Sequence, residues 1–217
     1  MSVLDRFKAK TPEEIERRRF GLWALGALIV ILPLWWFWGA DLAAALLRVP
    51  AGLVLRLFGL SGEITAASGG GWLVGTRLPT AGGGLYDFPV APEVIRRLLL
   101  GVPLFVAFMI APPRPPRPVR AAVIGVLVLA LLFGLSLTAF VWGELAPMLN
   151  PQLAPSRPIV VQLAAPPLGG AAAQTALIAR YLAMSVAPLI AAIVLWAFLN
   201  PPGRQALLGA LEPKVEG

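Results

Sequence analysis

The sequence predicts an all-α membrane protein with about four transmembrane helices, a small external β-hairpin and loop region, and an interfacial helix. Three observations carry this. Of the 217 residues 58% are hydrophobic and only 13% are charged, whereas a soluble domain of this size carries about 25% charged residues. Apolar runs close to 20 residues long recur along the chain, and runs of that length call for lipid. Between two of them lies Ala111-Pro112-Pro113-Arg114-Pro115-Pro116-Arg117-Pro118-Val119-Arg120. Its prolines stop helices, and arginines in a short loop hold it in the cytoplasm.

That loop sets the orientation of the rest. Segments then assigned to the inside (1–19, 112–120 and 200–217) hold eleven Lys and Arg in 46 residues, against four in 88 for those outside (39–95 and 145–175). Both termini are therefore expected in the cytoplasm. The net charge of +7 follows from this bias, so no nucleic-acid partner is expected. Arg96 and Arg97, at the outer boundary, run against the count.

In chain order, residues 1–19 are a basic helix that Thr11 caps, with Pro12 in its first turn and Glu14 at the capping-box position. The first span is 20–38, ending in Trp35-Trp36-Phe37-Trp38, an aromatic belt for the lipid–water boundary. Residues 39–95 are external. Within them 41–60 is apolar apart from Asp41, Arg48 and Arg56, which share a narrow stripe. Pro50 and Gly52 argue against a straight continuation, so this piece is expected to lie in the interface. Residues 62–78 form a β-hairpin around Ser68-Gly69-Gly70-Gly71, a turn without the Lys-Ser/Thr ending of a phosphate loop. Ala81-Gly82-Gly83-Gly84 is a flexible link, and Tyr86-Asp87-Phe88-Pro89 leads back to the membrane.

The second span is 96–111. Its uncharged part reaches only about 21 Å at 1.5 Å per residue, against a core of about 30 Å. The third span is 121–144 and the fourth 176–199, kinked by Pro188. The external loop 145–175 carries one possible strand, 157–163, able to join the hairpin. Residues 200–217 are a short amphipathic cytoplasmic tail.

There is no cysteine and no histidine. Thiolate nucleophiles, imidazole bases and the common zinc sites are thereby removed. No catalytic residue, metal ligand or cofactor-binding residue is assigned, and neither a cofactor nor a metal is expected. Charges near the outer face remain: Asp41, Glu93, Arg96, Arg97, Glu144 and Arg180. Glu144 closes the third span and Arg180 opens the fourth, so the two are expected to lie close together, as a structural ion pair or as part of one polar surface. Glu63, Trp72, Arg77, Tyr86 and Asp87 are the candidate contacts to a partner.

The order of features resembles the exosortase H-associated membrane proteins, small companions of an exosortase-type transpeptidase. The resemblance rests on Leu34-Trp35-Trp36-Phe37-Trp38, Pro50-Ala51-Gly52-Leu53-Val54-Leu55-Arg56-Leu57, Gly70-Gly71-Trp72-Leu73-Val74, Ala187-Pro188-Leu189-Ile190 and Val194-Leu195-Trp196, and covers most of 20–200. An Asn-Pro motif before the second span is replaced here by Asp87-Phe88-Pro89. The resemblance implies an accessory role beside a sorting enzyme, with membrane lipid and other integral membrane proteins as partners. The sorting enzyme itself is excluded, since its cysteine nucleophile and histidine partner are absent. A structural subunit of another inner-membrane assembly is the alternative. A small transporter is less favoured, because the spans lack midplane charges.

Overall fold

The computed structural model describes residues 11–153 and 163–208. The first ten residues, most of the 157–163 strand and the end of the tail lie outside the described residues. Thr11 caps α1 (Pro12–Leu34), its hydroxyl accepting from the Glu14 amide at 3.3 Å. A π-helical turn, Trp35–Gly39, follows, and then α2 (Ala40–Leu57). The three run on as one helix of 44 residues, Glu14–Leu57, about 66 Å long.

This corrects the expected break between a span at 20–38 and a separate piece at 41–60. The π turn absorbs Gly39 without ending the helix. The Pro50 ring faces outward, while Ala44, Ala51 and Leu55 are buried in the core shared with Phe133, Leu137 and Leu145. Packing overrides the proline. Gly52 is required there, because its Cα lies against the backbone of Gly62.

The region expected to be external holds a three-stranded antiparallel sheet of order β1-β2-β3, with β1 Ile64–Ala66, β2 Trp72–Pro79 and β3 Leu85–Val90. Val74 sits opposite Ile64 on one side and Phe88 on the other. The expected hairpin is β1–β2. The third strand replaces the expected link at 86–89. Pro89 is accommodated because β3 is an edge strand. Thr80 bridges to Leu163, and the Ala164 amide donates to the Pro79 carbonyl at 2.8 Å.

The expected second span, 96–111, is two short helices, α3 (Pro92–Leu98) and α4 (Gly101–Ile110). At ten residues, α4 reaches about 15 Å. The third span is longer than expected: α5 covers Pro118–Leu149. The fourth is α6 (Gly170–Ser185) and α7 (Ala187–Leu199), bent by 62°, with Pro188 in the first turn of α7. A last helix, α8, covers Pro201–Leu208. Among the described residues two helices, Glu14–Leu57 and Pro118–Leu149, are long and apolar enough to cross a membrane, and three if the bent pair counts as one span. Neither α3 nor α4 is long enough to count by itself, so the expected four spans are not confirmed.

Two cores are stacked along α5. A basal core joins Phe20 and Ala24 of α1, Phe105 and Met109 of α4, Leu129 of α5 and Trp196 of α7. A second core joins α2, the sheet, α3 and the C-terminal half of α5, from Phe133 to Leu149. These are the basal layer and the sheet layer below. Glycines set the close approaches: Gly125 faces the Phe105 ring, Gly134 lies 2.9 Å from Val54 Cγ2, and Gly101 lies 2.6 Å from the Pro188 carbonyl, each measured from the Cβ it lacks.

Candidate functional site

Helix α3 opens with Pro92 and Glu93 and closes with Arg96 and Arg97, the charge order its dipole favours. Arg96 is carried toward the first turn of α2. Its Nη2 lies 3.1 Å from both carboxylate oxygens of Asp41, and its Nε donates to Oδ1 at 3.3 Å. The guanidinium also lies 5.8 Å from the centre of the Trp36 ring, a cation–π contact. Asp41 is mostly exposed and Arg96 a quarter exposed.

A second pair joins α5 to α6. Arg180 Nη2 is bonded to Glu144 Oε1, and its guanidinium lies 5.9 Å from the Phe140 ring centre. Gly143 makes the approach possible: the Arg180 side chain and the Ala176 carbonyl occupy the space its side chain would need. Glu144 is only 16% exposed and Arg180 35%, so this pair is the more sheltered.

Glu93 and Arg97 are exposed. Among the described residues no ion pair joins them to either pair. Arg97 instead borders a cavity of about 280 Å³ between Leu100, Met184, Ser185 and Pro188.

The sheet residues divide. Glu63, Arg77 and Asp87 are exposed. Tyr86 is half-buried, its ring meeting Phe88 edge-on at 6.4 Å, and burial raises its hydroxyl pKa. Trp72 is a correction: it is 4% exposed and packs edge-on against Phe133 at 5.9 Å. The side of β2 that carries Trp72 and Val74 faces α5, so this tryptophan is core rather than partner contact.

Two features were missed by reading residues singly. Arg56 Nε donates to the Ser61 carbonyl at 3.0 Å, and Ser61 Oγ donates to the Gly75 carbonyl at 2.7 Å, so the end of α2 is tied to the sheet. The other is a row on α2, Leu42, Leu46, Val49, Leu53 and Leu57, all exposed. Their spacing of four, three, four and four is a single helix face, and it was legible in the sequence.

A family model, exosortase H-associated membrane protein, matches residues 14–203 of this chain. No curated protein and no solved structure matches it. Spanning the stacked cores, the sheet and both ion pairs, that match shows that the chain belongs to the exosortase H-associated membrane protein family.

Proposed function

We propose that this chain is a non-catalytic accessory subunit of an exosortase-type protein-sorting system in the bacterial inner membrane. The observation that carries the reading is the family match over 14–203 on a sequence with no cysteine and no histidine. Such a sequence lacks the residues for a thiolate–imidazole transpeptidase, so it serves beside the enzyme that has them.

In this reading the basal layer sits in the bilayer and the sheet layer faces outward, with both termini in the cytoplasm. The skew of Lys and Arg toward 1–19, 112–120 and 200–217 supports that orientation. A sheet whose edges have no further strand paired among the described residues also speaks for a place outside hydrocarbon. Glu63, Arg77 and Asp87 are the sheet positions offered to a partner, while the Asp41–Arg96 and Glu144–Arg180 pairs hold the sheet layer in shape. A transporter is less well supported. The cavity between α4, α5 and α7 holds about 60 Å³ and is lined by Leu99, Val102, Leu129, Phe133 and other largely apolar residues.

The test is deletion and complementation in the native host, with unprocessed sorting substrates quantified by mass spectrometry of the membrane fraction. Precursors should accumulate without the chain and clear when it is restored. Unchanged processing contradicts the role.

A further inference from the structure

Helix α1 carries a groove that belongs to neither core. It holds about 470 Å³. One wall is a row of Leu22, Gly26 and Val30, the next a row of Trp23, Ala27 and Ile31, and Ile110 at the end of α4 lies opposite. Both rows step by four residues, so they run side by side on one helix face. Gly26 makes the recess, since a Cβ there would meet nothing within 4 Å. Leu22 is 71% exposed and Val30 59%, so the groove opens away from the protein.

Each row is headed by an arginine. Arg18 stands one turn before Leu22 and Arg19 one turn before Trp23, in the same register. The Phe20 and Phe108 rings meet at 6.0 Å, which sets the end of α4 level with the start of these rows. There Arg114 Nε donates to the Ile110 carbonyl at 3.0 Å, holding a third guanidinium at the same end of the groove. All three arginines are exposed, and among the described residues none of them forms an ion pair. From Leu22 to Ile31 the groove rises about 14 Å, roughly half of a bilayer core of about 30 Å. That is the depth of one leaflet. Trp23, first in its row, supplies the amphipathic ring that favours the boundary between headgroups and chains.

We propose that this groove holds an acyl chain of a phospholipid with a net negative headgroup, whose phosphate is bound by Arg18, Arg19 and Arg114. Guanidinium groups take phosphate oxygens through paired N–H bonds, and basic pockets beside membrane helices select anionic headgroups in this way. A partner's helix is a poorer occupant. Spans carry their own Lys and Arg at the cytoplasmic end, the side on which the orientation proposed above puts these three arginines, so like charges would meet there. The inference uses that orientation and does not depend on which enzyme the chain accompanies.

The full chain, purified in mild detergent and stripped of lipid, is titrated with phosphatidylglycerol or with phosphatidylethanolamine of the same chains, and bound lipid is counted by native mass spectrometry. Phosphatidylglycerol should bind several-fold more tightly than phosphatidylethanolamine, whose ammonium cancels the phosphate charge. Arg114→Gln, and Arg18→Gln combined with Arg19→Gln, should each weaken phosphatidylglycerol several-fold. Arg77→Gln, an equal loss of charge on the sheet, should leave it unchanged. Gly26→Leu, which fills the recess, should weaken it as much as the arginine changes do. Those arginine variants alter only exposed positions, so they decide the question where Gly26→Leu disturbs the fold.

Equal binding of the two lipids overturns the proposal. So does a matching loss on Arg77→Gln, which means net charge alone, or full binding by a stably folded Gly26→Leu, which means a headgroup contact without the groove. Displacement of the lipid by inorganic phosphate at equal concentration means a simple ion site and overturns it too. A photo-crosslinker at Val30 in native membranes that captures a protein helix and no phospholipid does the same. Recovery of a sorting enzyme with the chain, or of none, alters none of these readings, so the lipid site and the accessory role fail separately.

Discussion

Arg96 reaches both carboxylate oxygens of Asp41 at 3.1 Å while its guanidinium rests over Trp36. One side chain thus fastens α3 to the π turn and to the first turn of α2. Because Asp41 is 58% exposed, water screens the charge part of this contact. Asp41→Asn should cost no more than about 1 kcal/mol, an effect that shrinks in high salt. Arg96→Ala should cost more, since it also removes the ring contact. Thermal unfolding in detergent at two ionic strengths separates the two contributions.

The Glu144–Arg180 pair should respond differently. It is sheltered between α5 and α6, so Glu144→Gln leaves a cation against Phe140 with its partner gone. The single change should cost about 1–3 kcal/mol. Combining Glu144→Gln with Arg180→Met should cost less than the sum of the two singles, as contacting residues in a double-mutant cycle do. Strict additivity would show that the pair is not formed.

Close packing makes a sharper prediction. A Cβ at position 125 meets the ring of Phe105, which is wholly buried, whereas one at position 21 meets nothing within 4 Å. Gly125→Ala should destabilise by about 1–3 kcal/mol through overpacking. Gly21→Ala should be neutral or stabilising by up to about 1 kcal/mol, from helix propensity alone. The comparison needs only two melting curves.

Trp72 and its neighbours test the division of the sheet into core and surface. Trp72→Ala should cost about 3–5 kcal/mol, as large-to-small core changes do. Arg77→Ala and Asp87→Ala should stay within about 0.5 kcal/mol. If either exposed variant weakens copurification of a partner while stability holds, the contact role of that position is supported.

Asn200 is a buried polar residue with a definable task. Its Nδ2 donates to the Pro113 carbonyl at 3.0 Å, and its Oδ1 accepts from the Gly203 amide at 3.1 Å. It therefore caps α8 and pins that helix to the arginine-proline loop. Asn200→Ala should cost about 1–2 kcal/mol, the loss of an N-cap plus an orphaned carbonyl. Asn200→Asp, which keeps the cap but not the donor, should fall between.

What was legible in the sequence was local or set by alternation of the spans. Thr11 announced its helix through the Pro-Glu-Glu that follows it, and Pro188 marked a bend close to where α6 and α7 meet. Glu144 and Arg180 could be brought together because two successive antiparallel helices place the end of one beside the start of the next. The continuation of α1 into α2 was not legible: propensity at Gly39, Pro50 and Gly52 speaks for a break, and only packing against α5 reverses it. The third strand was hidden by Pro89, which an edge tolerates and a central strand does not. The burial of Trp72 was hidden too, because strand alternation names two faces without saying which one meets a helix.

The most direct test of the accessory role is a mild-detergent pull-down of the tagged chain from its native membrane, with mass spectrometry of what accompanies it. The account predicts stoichiometric recovery of a polytopic sorting enzyme that carries the cysteine and histidine absent here. Stoichiometric recovery of a secretion, pilus or respiratory assembly in its place, or of this chain alone, contradicts it.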